Sequence, residues 1–130
     1  MSRKSKGINA ERELIHKFWA ISDWSAARIA GSGSMKYPSA DILASNKLRK
    51  PAIECKTSID ESKYLPKEDV EQLKKFADIF GAEPWIAIKF KGYDWYFVSL
   101  EDIKEKGKSF VVDINTARTN GLLFEEIVNK

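Results

Sequence analysis

Up to residue 100, hydrophobic spacing divides the chain into two helices and a set of strands. With Glu11 as i, Leu14, Ile15 and Phe18 fall at i+3, i+4 and i+7, so a helix is predicted to begin near Asn9. Glu11 lies at the N-terminal end of its apolar stripe, where free N–H groups and the helix dipole tolerate an anion. A second helix is predicted with Pro66 in its first turn, Val70, Leu73, Phe76, Ala77 and Phe80 at helical spacing, and Gly81 as its stop. Strands are predicted over residues 24–30, 40–45, 51–58, 85–90 and 95–98. The short tract Ser45–Lys50 favours an antiparallel hairpin, and the helix between strands 51–58 and 85–90 is what a parallel crossover needs. These elements describe an α/β fold with a central mixed five-stranded sheet flanked by helices. Beyond residue 100 the pattern predicts a short helical turn over Leu100–Lys106, extended chain over 109–114 and a closing helix over Leu122–Asn129. Residues 31–39, GSGSMKYPS, read as a surface loop, and residues 1–7 as a mobile basic arm hinged at Gly7.

Length and composition add that 130 residues form one domain with a real core, and that 43% hydrophobic and 32% charged residues are ordinary for a soluble globular chain. The single cysteine, Cys55, rules out an internal disulfide, and the single histidine, His16, rules out a His-rich zinc site and argues against a Ser-His-Asp triad. His16 shares the face of Arg12 and reads as a solvated helix residue. Without a signal-like apolar region or a run of about 18 apolar residues, an intracellular (cytoplasmic) chain with no membrane partner is expected. The charge is uneven. Residues 1–58 hold eleven Lys/Arg against five Asp/Glu, and residues 59–130 hold eleven against fourteen, so the basic half points to a polyanionic partner.

That basic half also sends charges into the sheet. On a strand over 51–58, Glu54 and Lys56 share one face while Ile53, Cys55 and Thr57 take the other, and Asp41 on the neighbouring hairpin strand can reach the same spot. Glu-X-Lys alone reads as a surface pair. Together with Asp41 and the inward carboxylate of Glu11, it reads instead as a hydrated pocket holding a cation. Asp41, Glu54 and the backbone carbonyl of Cys55 offer hard oxygen ligands suited to Mg²⁺, with Mn²⁺ able to substitute. Lys56 could orient or help deprotonate a water, or hold a phosphate oxygen, and phosphodiester hydrolysis is the chemistry that uses this set. The Cys55 side chain reads as a small buried hydrophobe.

With Glu11, Asp41 and Glu54-X-Lys56 in order, the chain resembles the restriction-endonuclease-like nuclease superfamily. Within it, "GINAERELI", "RIAGS", "SADILA", "IECK" and "KKFADIFGAEPWIAIKF" resemble archaeal-type Holliday junction resolvases over roughly residues 3–100. The resemblance implies that Asp41 and Glu54 bind the catalytic metal, Lys56 assists the water, Glu11 completes the acidic site and Ser32 lies by the scissile phosphate. It further implies DNA contacts at Arg12 and Arg28 and along the basic arm at Arg3, Lys4 and Lys6, and a homodimer that cuts four-way junction DNA symmetrically without a small-molecule cofactor. The segment 33–40 looks longer than in many relatives, and the last 30 residues carry little of the match. Lys47, Arg49 and Lys50 are expected to contact phosphates, in line with the charge asymmetry. The stripe of the second helix fits either the core or a dimer seam. Two other readings stand beside the resolvase: a restriction- or repair-type endonuclease of the same fold, and a non-catalytic DNA-binding module. The chain shows no base-reading helix, which favours recognition by DNA shape.

Overall fold

A computed structural model of the chain describes residues 3–29 and 37–129, with side chains from Gly7 onward. Helix α1 (Arg3–Trp19) is followed by strands β1 (Ser25–Arg28), β2 (Ile42–Ser45), β3 (Pro51–Ser58) and β4 (Ser62–Pro66), then helix α2 (Lys67–Phe80). Strands β5 (Glu83–Phe90), β6 (Trp95–Ser99), β7 (Lys104–Lys106) and β8 (Ser109–Asp113) come next, and helix α3 (Ile114–Asn120), strand β9 (Leu122–Leu123) and helix α4 (Phe124–Val128) close the chain.

The central mixed sheet runs in the order β1-β2-β3-β5-β6-β9. All five predicted strands stand in it, and the two-residue β9 adds a sixth. Strand β3 is antiparallel to β2 and parallel to β5 along its full length, from Pro51 opposite Glu83 to Ser58 opposite Phe90, with α2 as the crossover. Alternation sorts the sheet's side chains to two sides. Ile53, Ala87 and Phe97 pack with Leu14 and Phe18 of α1 and with Phe124 and Ile127 of α4. Ala52, Ile86, Ile88 and Val98 pack with Val70, Leu73 and Ala77 of α2.

Several expectations are corrected. Helix α1 begins at Arg3 instead of near Asn9, and Gly7 lies inside it where a hinge and a mobile arm were expected. One glycine in a helix costs about 1 kcal/mol against alanine, which propagation through adjacent turns carries. Pro66 caps α2 from outside, and Gly81 ends it in the left-handed region at φ 82°, its N–H donating to the Ala77 carbonyl. The predicted helical turn over Leu100–Lys106 is a bend followed by β7, and β4, β8 and β7 make a second, three-stranded sheet. The extended chain predicted over 109–114 is β8, and residues 114–120, where beyond Ile114 no element was predicted, form α3, whose first turn is capped by the Asp113 carboxylate accepting from Thr116 N at 2.7 Å. The closing helix starts at Phe124 because Leu122 and Leu123 pair with Phe97 and Tyr96 of β6. Among the described residues, no helix is long and apolar enough to cross a membrane.

Candidate active site at the end of the third strand

The site lies where β2 stops pairing with β3. The β2–β3 register ends at Ile42 opposite Ile53, after which Asp41 N donates to the Ile53 carbonyl and the Asp41 carboxylate accepts from Cys55 N, both at 2.9 Å. Backbone groups alternate sides along a strand, so the Cys55 carbonyl faces the same edge, beside Asp41. Glu54 and Lys56 share the α2 side of β3, as their spacing predicts, with Lys56 Nζ 3.3 Å from Glu54 and 3.5 Å from Asp69 in the first turn of α2. Glu11 approaches from α1 on the other side of the sheet, its side chain 15% exposed, and receives a 2.8 Å bond from Arg28 Nε of β1.

The electrostatics follow from this crowding. Burial, then the negative charge of Asp41, push the Glu54 carboxyl up to about 8 against the opposing pull of Lys56. For Lys56, burial acts downward, but Glu54 and Asp69 outweigh it and hold its pKa above the ordinary lysine value, so it remains an ammonium at neutral pH. Glu11 is raised by burial, offset in part by its bond to Arg28, with Asp41 adding a further upward push. Burial pushes the Cys55 thiol far up, which removes it as a nucleophile.

Two carboxylates crowded at a desolvated spot repel one another, and a bound cation relieves that repulsion. Asp41, Glu54 and the Cys55 carbonyl are all hard oxygen donors. Mg²⁺ is commonly held by one or two carboxylates together with waters and substrate phosphate, so this donor set fits it. Among the described residues no three His, Cys, Asp or Glu side chains form a tight metal cluster. Glu11, expected in the ligand set, is engaged by Arg28 beside the other acids.

These groups open into a cleft of about 1000 Å³ bounded by the start of α1, the β3–β4 turn and the β5–β6 turn. Lys56, Lys63, Lys89 and Lys91 line it together with Tyr64. Lys89 also bonds Glu13 at 3.0 Å. Asp69, Lys63, Lys89 and Lys91 were not among the residues expected from sequence. The crossover signal could have found Asp69, since a helix returning over β3 puts its first turn at that strand's C-terminal end. The lysines carry no motif and come together only through the two turns.

Other expected contacts are dispersed. Ser32 lies outside the described residues, as do the side chains of Arg3, Lys4 and Lys6. Arg12 is exposed on α1 next to Glu11. Lys47, Arg49 and Lys50 sit at the hairpin end of β3, five residues or more from Cys55, which is roughly 16 Å along a strand. Lys47 and Lys50 are exposed there, Lys50 with its ammonium 5.4 Å from the Phe80 ring centre. Arg49 departs from the expected phosphate contact. Its guanidinium is turned into the fold, bonded to Glu83 at 2.7 and 2.9 Å and to the Ile127 carbonyl at 2.6 Å, where it fastens the hairpin to β5 and α4.

Comparison with known proteins points the same way. The family model described as "Archaeal holliday junction resolvase (hjc)" matches residues 2–130. A "Crossover junction endodeoxyribonuclease Hjc" of Archaeoglobus fulgidus is 36% identical over 127 residues, covering 98% of this chain and 92% of the relative. One of the same name from Methanocaldococcus jannaschii is 36% identical over 108 residues, covering 83% of this chain and 76% of the relative. The solved structure of Archaeoglobus fulgidus Hjc, titled a Holliday junction resolvase from an archaeal hyperthermophile, superposes with a TM-score of 0.86 at 34% identity, covering 96% of this chain and 97% of that one.

Proposed function

Because this chain belongs to the archaeal Holliday junction resolvase family, we propose that it is an endodeoxyribonuclease that resolves four-way DNA junctions by cutting phosphodiester bonds. The observation that carries this reading is the meeting of Asp41, Glu54 and Lys56 at the open end of β3, inside a lysine-lined cleft. Asp41, Glu54 and the Cys55 carbonyl would hold Mg²⁺, which when bound supplies charge stabilisation at the scissile phosphate and an acidified water. Lys56, its ammonium 3.3 Å from Glu54 and 3.5 Å from Asp69, is placed to orient or help deprotonate the water, or to hold a phosphate oxygen. Glu54 and Asp69 in turn hold its ammonium in place. Arg12, Arg28, Lys63, Lys89 and Lys91 contact flanking phosphates, and Arg28 exchanges part of its bond to Glu11 for DNA.

The reading includes a homodimer. The outer surface of α2 exposes Phe80 and Ile79, the latter 77% exposed, and Phe80 stacks on Phe76 with ring centres 5.3 Å apart. Beside them an apolar hollow of about 360 Å³ is lined by Trp19, Ala27, Leu43 and Phe80. Pairing this surface across a two-fold axis covers it and presents two clefts to the two strands of a junction. Light scattering at micromolar concentration is expected to give twice the 14.8 kDa chain mass; a monomer with full junction cutting would refute the dimer.

The test of the activity is Mg²⁺-dependent cleavage of four-way, flap and linear DNA of shared sequence. Paired nicks confined to the four-way junction are expected. Equal cutting of linear DNA or flaps would shift the reading to a nuclease of the same fold with another substrate, and binding without cutting would leave only a DNA-binding module.

A further inference from the structure

The three-stranded sheet offers a surface that the catalytic cleft does not account for. Register places Tyr64, Val111 and Lys104 in one row across β4, β8 and β7, and alternation brings Lys106 to the same face. The opposite face holds Leu65, Val112 and Phe110 against the α2-side core. The outward face is therefore free of core duty. Tyr64 on it is 54% exposed, all of β7 is exposed, and the Lys106 ammonium sits 5.8 Å from the Tyr64 ring centre. Of the nearby acids, Glu105 faces the other way and pairs with Lys67 at 2.9 Å and Asp113 caps α3, while Asp60 and Glu61 stand exposed in the β3–β4 turn before Tyr64.

Tyr64 also lines the cleft that holds Glu54 and Lys56. A strand leaving the scissile phosphate past the β3–β4 turn thus meets an aromatic ring first and two ammonium groups after it. Resting on the resolvase reading, we propose that this face is a strand-tracking platform for junction DNA: Tyr64 stacks on a nucleotide beside the cut, and Lys104 and Lys106 contact the phosphates that follow. A ring face with flanking cations is the combination that holds an unpaired or splayed nucleotide without reading its sequence. The contact from Lys106 to the ring is weaker than a base stack, so Lys106 gives way and turns to phosphate.

The experiment is a series of fluorescence-anisotropy titrations of the full chain with a labelled four-way junction and a duplex of the same sequence, at several salt concentrations, with Ca²⁺ in place of Mg²⁺. Tyr64→Ala is expected to weaken junction binding about tenfold, and Tyr64→Phe, which keeps the ring, to bind as wild type. Lys104→Ala with Lys106→Ala is expected to reduce the slope of log affinity against log salt by about 0.9 per lysine on duplex arms. All three residues are exposed, so none of these changes opens the core. Wild-type affinity for junction by Tyr64→Ala, or an unchanged slope in the double variant, overturns the platform. A shift in oligomer mass in place of affinity also overturns it, since the face would then be a protein interface. Absence of any junction preference in the wild type defeats the resolvase reading instead, and the same variants then report on the platform through duplex affinity.

Discussion

Asp41→Asn and Glu54→Gln are each expected to slow junction cleavage about a thousandfold, the loss of several kcal/mol of charge stabilisation at the reacting phosphorus, while junction affinity measured in Ca²⁺ stays within a few fold. Both substitutions leave the fold in place. An asparagine at position 41 would keep an oxygen to accept from Cys55 N, the bond made at 2.9 Å in the parent chain. A glutamine at position 54 relieves the carboxyl of a burial and repulsion that already push its pKa up. Affinity is preserved because each change removes negative charge from the path of a polyanion. Single-turnover cleavage of a labelled junction is the measurement, and a rate within tenfold of the parent for either variant would remove these carboxylates from the chemistry.

The largest stability loss is expected at Phe18. Its ring is fully buried on α1 and lies 5.4 Å from Trp24, 5.1 Å from Phe124 and 6.4 Å from Phe97, centre to centre. It joins the first helix, the middle of the sheet and the last helix in one cluster. Phe18→Ala removes that contact and leaves a cavity between elements distant in sequence that cannot collapse independently, so unfolding is expected to cost about 3–5 kcal/mol less. Denaturant titration followed by tryptophan fluorescence measures it. A loss below about 1 kcal/mol would mean that the cluster re-forms around alanine.

Much of the site was legible in the sequence because it sits on regular structure. Period two on β3 put Glu54 and Lys56 on one side, and period 3.6 on α1 put Glu11 on the stripe of Leu14 and Phe18, so residue spacing alone predicted their faces. The missed parts depend on tertiary pairing. Strand β4, Ser62 to Pro66, has one buried residue, Leu65, and no apolar alternation; it is short and runs directly into α2, and its partner β8 lies more than forty residues away. Helix α3 did carry a local signal, Asp113 with Thr116 three residues on, the spacing of an N-cap. The apolar run before it concealed that signal. Arg49 was misread because a basic hairpin turn looks solvent-facing, whereas its guanidinium is claimed by Glu83 and the Ile127 carbonyl, and neither can be inferred from the turn itself.

The hydrogen bond from Cys55 N to Asp41 also bears on how the molecule stays apart from its neighbours. Strand β3 runs on to Ser58, but its ladder with β2 stops at Ile53. Beyond that point a β-strand side would ordinarily offer bare donors and acceptors to any extended chain that came by, which is how sheets recruit strangers and aggregate. Here the first such donor is already taken by a carboxylate, with Glu54 and Lys56 projecting charge close by. Asp41 is thus constrained twice, by the chemistry at its carboxylate and by its work as a stopper on an unfinished edge, and a residue that lacked an acceptor there would forfeit both at once.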